Sequence, residues 1–262
     1  MKKSKSMRAA GALLVATLLS TSAVSGTYAK YVTSDSGSDT ARVAKFGVVV
    51  AASGSLFSET YIHEPEEAGT TGLTVVSSSN DNVVAPGTNS GDGLTFSITG
   101  TPEVATKIVI DVTDADGGDF TELSESEIWL KKAAALPDVT NNTTDTFALE
   151  NDYYPVQFTL TKPNGDTTVG TLAEIEAALE GLSTDFIAPN TDLSTAYGTY
   201  TLTWAWAFGN DDDAVSGNDK ADTLLGDLAA GTGPEDISKL EEGTDYNLDC
   251  GIQIKISVVQ VD

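Results

Sequence analysis

Apolar and polar residues alternate with period two through much of this chain, a pattern that predicts half-buried β-strands rather than helices. Leu94, Phe96 and Ile98 share one face, with Thr95, Ser97 and Thr99 on the other. After Gly100-Thr101-Pro102 the alternation resumes at Val104, Ile108, Ile110 and Val112, and so short a link predicts a hairpin. Val156, Phe158 and Leu160 mark a further strand, closed by the turn Lys162-Pro163-Asn164-Gly165. The two strongest runs come late. Tyr200, Leu202, Trp204, Trp206 and Phe208 face one way, and Tyr246, Leu248, Cys250, Ile252, Ile254, Ile256 and Val258 form one unbroken apolar face. That second face predicts one long strand, with Cys250 packed in the core as a small hydrophobe.

Weaker signals fill the gaps. Phe46 to Ala52 is the first β-rich run, and residues 53–82 read as loops with one or two strands. Ala85-Pro86-Gly87 and Gly91-Asp92-Gly93 are turn sequences. Ile128-Trp129-Leu130 reads as a strand, although its surroundings would also tolerate helix. A single segment has a clear helical period: Leu172, Ile175, Leu179 and Leu182, with Thr171 and Glu174 spaced as a capping box. Gly181 stands where a left-handed stop is expected. Together these elements predict an all-β chain, an antiparallel β-sandwich with one or two short peripheral helices, occupying residues 46–262 as one domain.

The N-terminus obeys a different pattern. Lys2, Lys3, Lys5 and Arg8 precede an apolar run from about Ala9 to Val24, which gives way to the small residues around Thr27-Tyr28-Ala29. This is the three-part plan of a secretory signal peptide covering residues 1–29, with cleavage expected between Ala29 and Lys30. The run of roughly 15 apolar residues is short for a spanning helix, so a retained signal anchor is the weaker alternative. Residues 30–45 are polar, with β-compatible stretches at Tyr31-Val32-Thr33 and Thr40-Ala41-Arg42-Val43.

Charge narrows the partners. The full chain carries −25; the leader holds four basic residues and no acidic one, so the mature chain has 10 basic against 39 acidic residues, or −29. Such an excess argues against nucleic-acid partners, whose phosphates need neutralising, and against anionic lipid. A lone cysteine excludes an intramolecular disulfide. The best metal candidate is the acidic stretch 209–222, where Asp211, Asp213, Asp219 and Asp222, with Asn218, offer hard oxygen ligands for calcium. Its spacing is not that of an EF-hand. The competing reading is a solvated turn leading into a short helix capped by Asp222. His63 is the sole histidine; Glu67 stands where a zinc-peptidase helix needs its second one, and Pro65 would break that helix. No serine- or cysteine-nucleophile constellation accompanies it, so no enzyme activity is expected and His63 reads as an ordinary loop residue.

Gly26-Thr27-Tyr28-Ala29, the polar segment after it, and Pro86-Gly87 leading into Leu94-Thr95-Phe96 resemble the TasA/camelysin-type secreted proteins of Gram-positive bacteria. The resemblance implies export through a SipW-type signal peptidase and a jelly-roll-like sandwich. It further implies assembly into extracellular biofilm fibres, with self as the main partner and accessory matrix or cell-wall proteins alongside. In such fibres a strand at the mature N-terminus completes a neighbouring subunit's sheet, which would place Tyr31, Val32 and Val43 at the exchange. The alternative is a non-polymerising envelope adhesin or binding module, stabilised by calcium. Camelysin-type proteins have also been classed as metallopeptidases, but the single histidine departs from what a zinc peptidase needs.

Overall fold

The computed structural model describes residues 42–63, 73–121, 123–124, 126–139, 145–207, 218–231 and 237–261. The chain divides into two units, Met1–Val43 and Ala44–Asp262, and every element below lies in the second.

The fold is mostly β, built from several antiparallel sheets and three short helices, and its strands close no barrel. The largest sheet has five strands in the order β1 (Val48–Gly54), β4 (Leu94–Gly100), β12 (Gly198–Trp206), β9 (Val156–Thr161) and β10 (Thr167–Gly170). A three-stranded sheet runs β11 (Thr184–Ile187), β5 (Thr106–Thr113) and β14 (Gln253–Gln260). Three two-stranded ribbons complete it: β2 (Thr60–His63) with β3 (Leu73–Val76), β6 (Trp129–Leu130) with β13 (Tyr246–Asn247), and β7 (Leu136–Pro137) with β8 (Thr146–Phe147).

The alternation decides which side chains meet. Phe96 and Ile98, Val156, Phe158 and Leu160, and Tyr200, Leu202, Trp204 and Trp206 are all buried from the large sheet. Ile108, Ile110 and Val112 enter the same cluster from β5. Tyr200 sits directly opposite Phe96 in the register, and their rings stack with centroids 5.1 Å apart. Such a pair stabilises by about 0.5–1.5 kcal/mol beyond its area burial. Trp204 is fixed more tightly still, because its indole Nε1 donates to the Leu56 carbonyl at 2.6 Å.

Helix α1 (Leu172–Glu180) buries Leu172, Ile175 and Leu179 and packs on β5, β9 and β10, thereby touching both larger sheets. Glu174 Oε2 accepts the Thr171 amide at 2.9 Å, the reciprocal half of the expected capping box. Helix α2 (Leu193–Ala196) is a single turn capped by Asp192. Helix α3 (Asp219–Ala230) turns Ala221, Asp222, Leu224, Leu225 and Leu228 inward. No helix among the described residues is long and apolar enough to cross a membrane.

Four expectations are corrected. β4 and β5 do not form a hairpin: β4 pairs with β1 and β12, and β5 pairs with β11 and β14. The link instead carries the chain from one sheet to the other, and it needs Gly100, whose φ is 110° and whose added Cβ would collide with the Gly47 carbonyl. The run from Tyr246 to Val258 is likewise two strands, β13 and β14, in different sheets. Between them Asn247 Nδ2 donates to the carbonyls of Glu127 and Asp249, which bends the backbone out of a ladder. Gly181 ends α1 with φ −60°, in the right-handed region, because Leu182 and Ser183 close the helix by further amide bonds to Leu179 and Glu180. Finally, His63 is the last residue of strand β2 rather than part of a loop.

Candidate functional site

Asp222 is the most chemically loaded side chain the fold assembles. It lies in the first turn of α3, whose cap is Asn218, four residues earlier than the sequence suggests: Asn218 Oδ1 accepts the Ala221 amide at 3.1 Å. With the helix starting there, Asp222 cannot be its cap, and helical spacing swings it inward beside Leu225. It is 6 % exposed.

Two donors converge on one of its oxygens. The Tyr153 hydroxyl donates to Asp222 Oδ1 at 2.6 Å, and Trp206 Nε1 donates to the same atom at 2.9 Å. Tyr153 is itself positioned by a two-way backbone bridge to Leu130 (2.8 and 2.9 Å), and its hydroxyl accepts the Asn218 amide at 3.0 Å. Burial pushes the Asp222 carboxyl up to about 6; the Tyr153 and Trp206 hydrogen bonds oppose that rise, and the charge of Asp219 adds to it.

Beside this carboxyl lies a cavity of about 390 Å³. Its walls include Phe57, Trp206, Leu225, Leu248 and Cys250, and Asp249 stands among them. Burial raises the Cys250 thiol, with the Glu127 charge acting in the same direction, so the sulfur stays protonated and poorly nucleophilic. Glu127 is a second buried carboxyl, 1 % exposed, pushed up to about 7 by burial. Its Oε1 accepts the Leu172 amide at 2.9 Å, so it serves the N-terminus of α1.

The proposed calcium ligands are described only in part. Asp211 and Asp213 lie outside the described residues, Asp219 is exposed in the first turn of α3, and Asp222 faces the core. Among the described residues no three histidine, cysteine or acidic side chains are placed to share a metal ion. Ala29, Lys30, Tyr31 and Val32 also fall outside the described residues, as does Glu67. Val43 is 92 % exposed and belongs to no strand. The Asp222 cluster was reachable from sequence only in part: the spacing of Asp222, Leu225 and Leu228 marks an inward helix face, but nothing in it names Tyr153 or Trp206.

The sheet margins are the other candidate. β1 ends the large sheet, and among the described residues no strand pairs with its outer side. Every residue of β1 after Val48 is exposed, Val49 by 58 % and Val50 by 42 %. Edge strands in soluble proteins are usually blunted by charge or proline; the sequence Val48-Val49-Val50-Ala51-Ala52-Ser53-Gly54 has neither. Just before it, Lys45 and Glu103 are tied together, the Lys45 amide donating to Glu103 Oε2 at 2.7 Å and the Glu103 amide to the Lys45 carbonyl at 2.9 Å. The strand is therefore held at its entry while its outer backbone faces away from the sheet. No protein-family model, curated protein or solved structure matches this chain.

Proposed function

We propose that this chain is a secreted structural subunit of a cell-surface or biofilm-matrix fibre, a jelly-roll-like β-sandwich that polymerises by strand addition. A SipW-type peptidase would release it by cutting between Ala29 and Lys30, and the freed segment 30–45 would then pair with the next subunit. The observation that carries this reading is the β1 edge: seven residues, six of them exposed, and none of them charged or proline. An added strand gains its affinity from main-chain hydrogen bonds, and pockets select only alternate side chains. Tyr31 and Val43, both odd-numbered, share a face of an unbroken strand and are the anchors, with Val32 on the other face. The −29 mature charge keeps subunits apart until a specific ladder forms.

Electron microscopy of the secreted protein beside a variant lacking residues 30–42 tests this. The parent forms fibres and the truncated chain stays a folded monomer. Fibres of the same form from the truncated chain would overturn strand exchange, and a parent that stays monomeric at every concentration would overturn the fibre reading itself.

A further inference from the structure

The cavity beside Asp222 has features that a fibre subunit does not require. Its volume, about 390 Å³, lies within the range of about 300–1,000 Å³ typical of small-molecule sites. Among the described residues most of its lining is apolar or aromatic, and the charged groups in it are all of one sign: Asp222 and Asp249 are present, with no lysine, arginine or histidine. The two are placed differently, Asp222 being buried and Asp249 exposed.

The hydrogen bonding of Asp222 is lopsided. Tyr153 and Trp206 both donate to Oδ1. Oδ2 makes no hydrogen bond among the described residues, and it keeps some accessible surface on a residue that is otherwise buried and lines the cavity. Hydrogen bonds to an ionised acceptor are stronger than neutral ones, so this oxygen favours a ligand that brings a donor. A metal ion fits poorly, because among the described residues Asp222 and Asp249 are the only acidic groups in mostly apolar walls and no third such ligand converges with them. An anion is repelled, and a neutral apolar molecule would leave Oδ2 unpaired.

Helix α3 also leaves the cavity open. Asp222, Leu225, Gly226 and Ala229 follow one helical stripe along it. Gly226 is exposed in the helix interior, where glycine is less favourable than alanine. An added Cβ there would meet nothing within 4 Å, so no backbone constraint demands glycine.

We propose that this cavity binds a small organic ammonium ion, its nitrogen donating to Asp222 Oδ2 and its apolar body lying against Trp206, Phe57 and Leu248. The inference is independent of fibre assembly, since the β1 edge shares no residue with the cavity lining.

The test is calorimetric titration of the full chain with 2-phenylethylamine, with 2-phenylethanol as the uncharged counterpart and 3-phenylpropionate as the anion. Work at pH 7.5 and moderate salt keeps the carboxyl ionised and screens the acidic surface. The amine should bind at least tenfold more tightly than the alcohol, and the anion should not bind. Asp222→Asn should bring the amine down to the level of the alcohol. Gly226→Leu, which narrows the opening without a backbone clash, should weaken both, and it keeps the test decisive if Asp222→Asn does not fold. Bound amine should also slow modification of Cys250, the only cysteine in the chain. Equal binding of amine and alcohol, binding unchanged in both variants, amine binding that leaves Cys250 unshielded, or no binding at all would each overturn the proposal.

Discussion

The Tyr153 hydroxyl donates to Asp222 Oδ1 at 2.6 Å across 69 residues of chain, and so ties the Leu130–Tyr153 bridge to helix α3. Trp206, at the end of β12, shares the same acceptor. One carboxylate therefore joins the large sheet, a short ribbon and a helix. Asp222→Ala would leave two buried donors without an acceptor, and each costs about 1–3 kcal/mol. We expect that variant to lose roughly 2–4 kcal/mol in urea denaturation. Asp222→Asn retains a carbonyl oxygen for both donors and should lose much less. Equal losses in the two variants would mean that the carboxylate is not the acceptor that matters.

The pH profile has a definite sign. Asp222 titrates at about 6 against an ordinary 3.8, and Glu127 at about 7 against 4.5. Both carboxyls hold a proton more tightly folded than unfolded. Their contribution is fully present below the ordinary carboxylate values and is lost as pH rises through 6 and 7. Stability should therefore decline between about pH 4 and pH 7. Glu127→Gln should flatten the upper part of that decline and Asp222→Asn the lower part. Repulsion among the exposed acids acts on parent and variants alike, so the difference between them is the measurement. A double variant with the parent's slope would contradict the assignment.

Much of the fold was legible because burial of one face imposes its period on the sequence. Phe96 and Ile98, Val156 to Leu160, Tyr200 to Trp206 and the stripe of α1 all point inward as their spacing requires. Period two states which face a residue occupies, but not which strand lies beside it. That is why the Gly100–Glu103 link reads as a hairpin when it is a crossing between sheets, and why Tyr246–Val258 reads as one strand. The Asp222 cluster was hidden for a related reason. An aspartate within an acidic loop resembles a cation ligand until the helix start at Asn218 fixes the direction of its side chain.

Gly100 offers a direct check on that crossing. Gly100→Ala must accommodate a Cβ against the Gly47 carbonyl at a φ of 110°, so it should destabilise by well over about 1 kcal/mol. Gly165→Ala also has a positive φ, 88°, but its Cβ meets nothing within 4 Å. It should cost less, and thermal melts of the two variants side by side would show the gap. Equal melting temperatures would place the strain of the crossing elsewhere.

Fibre formation through the edge of β1 is the central claim, and hydrogen exchange reads it at the strand itself. The folded chain lacking residues 30–42 would be mixed with a synthetic peptide of residues 30–46, and amide exchange followed along β1. The account predicts that the peptide binds and slows exchange at residues 48–54, where outward backbone groups gain partners. Binding that protects a different edge, or a peptide that leaves exchange in β1 unchanged, would contradict it.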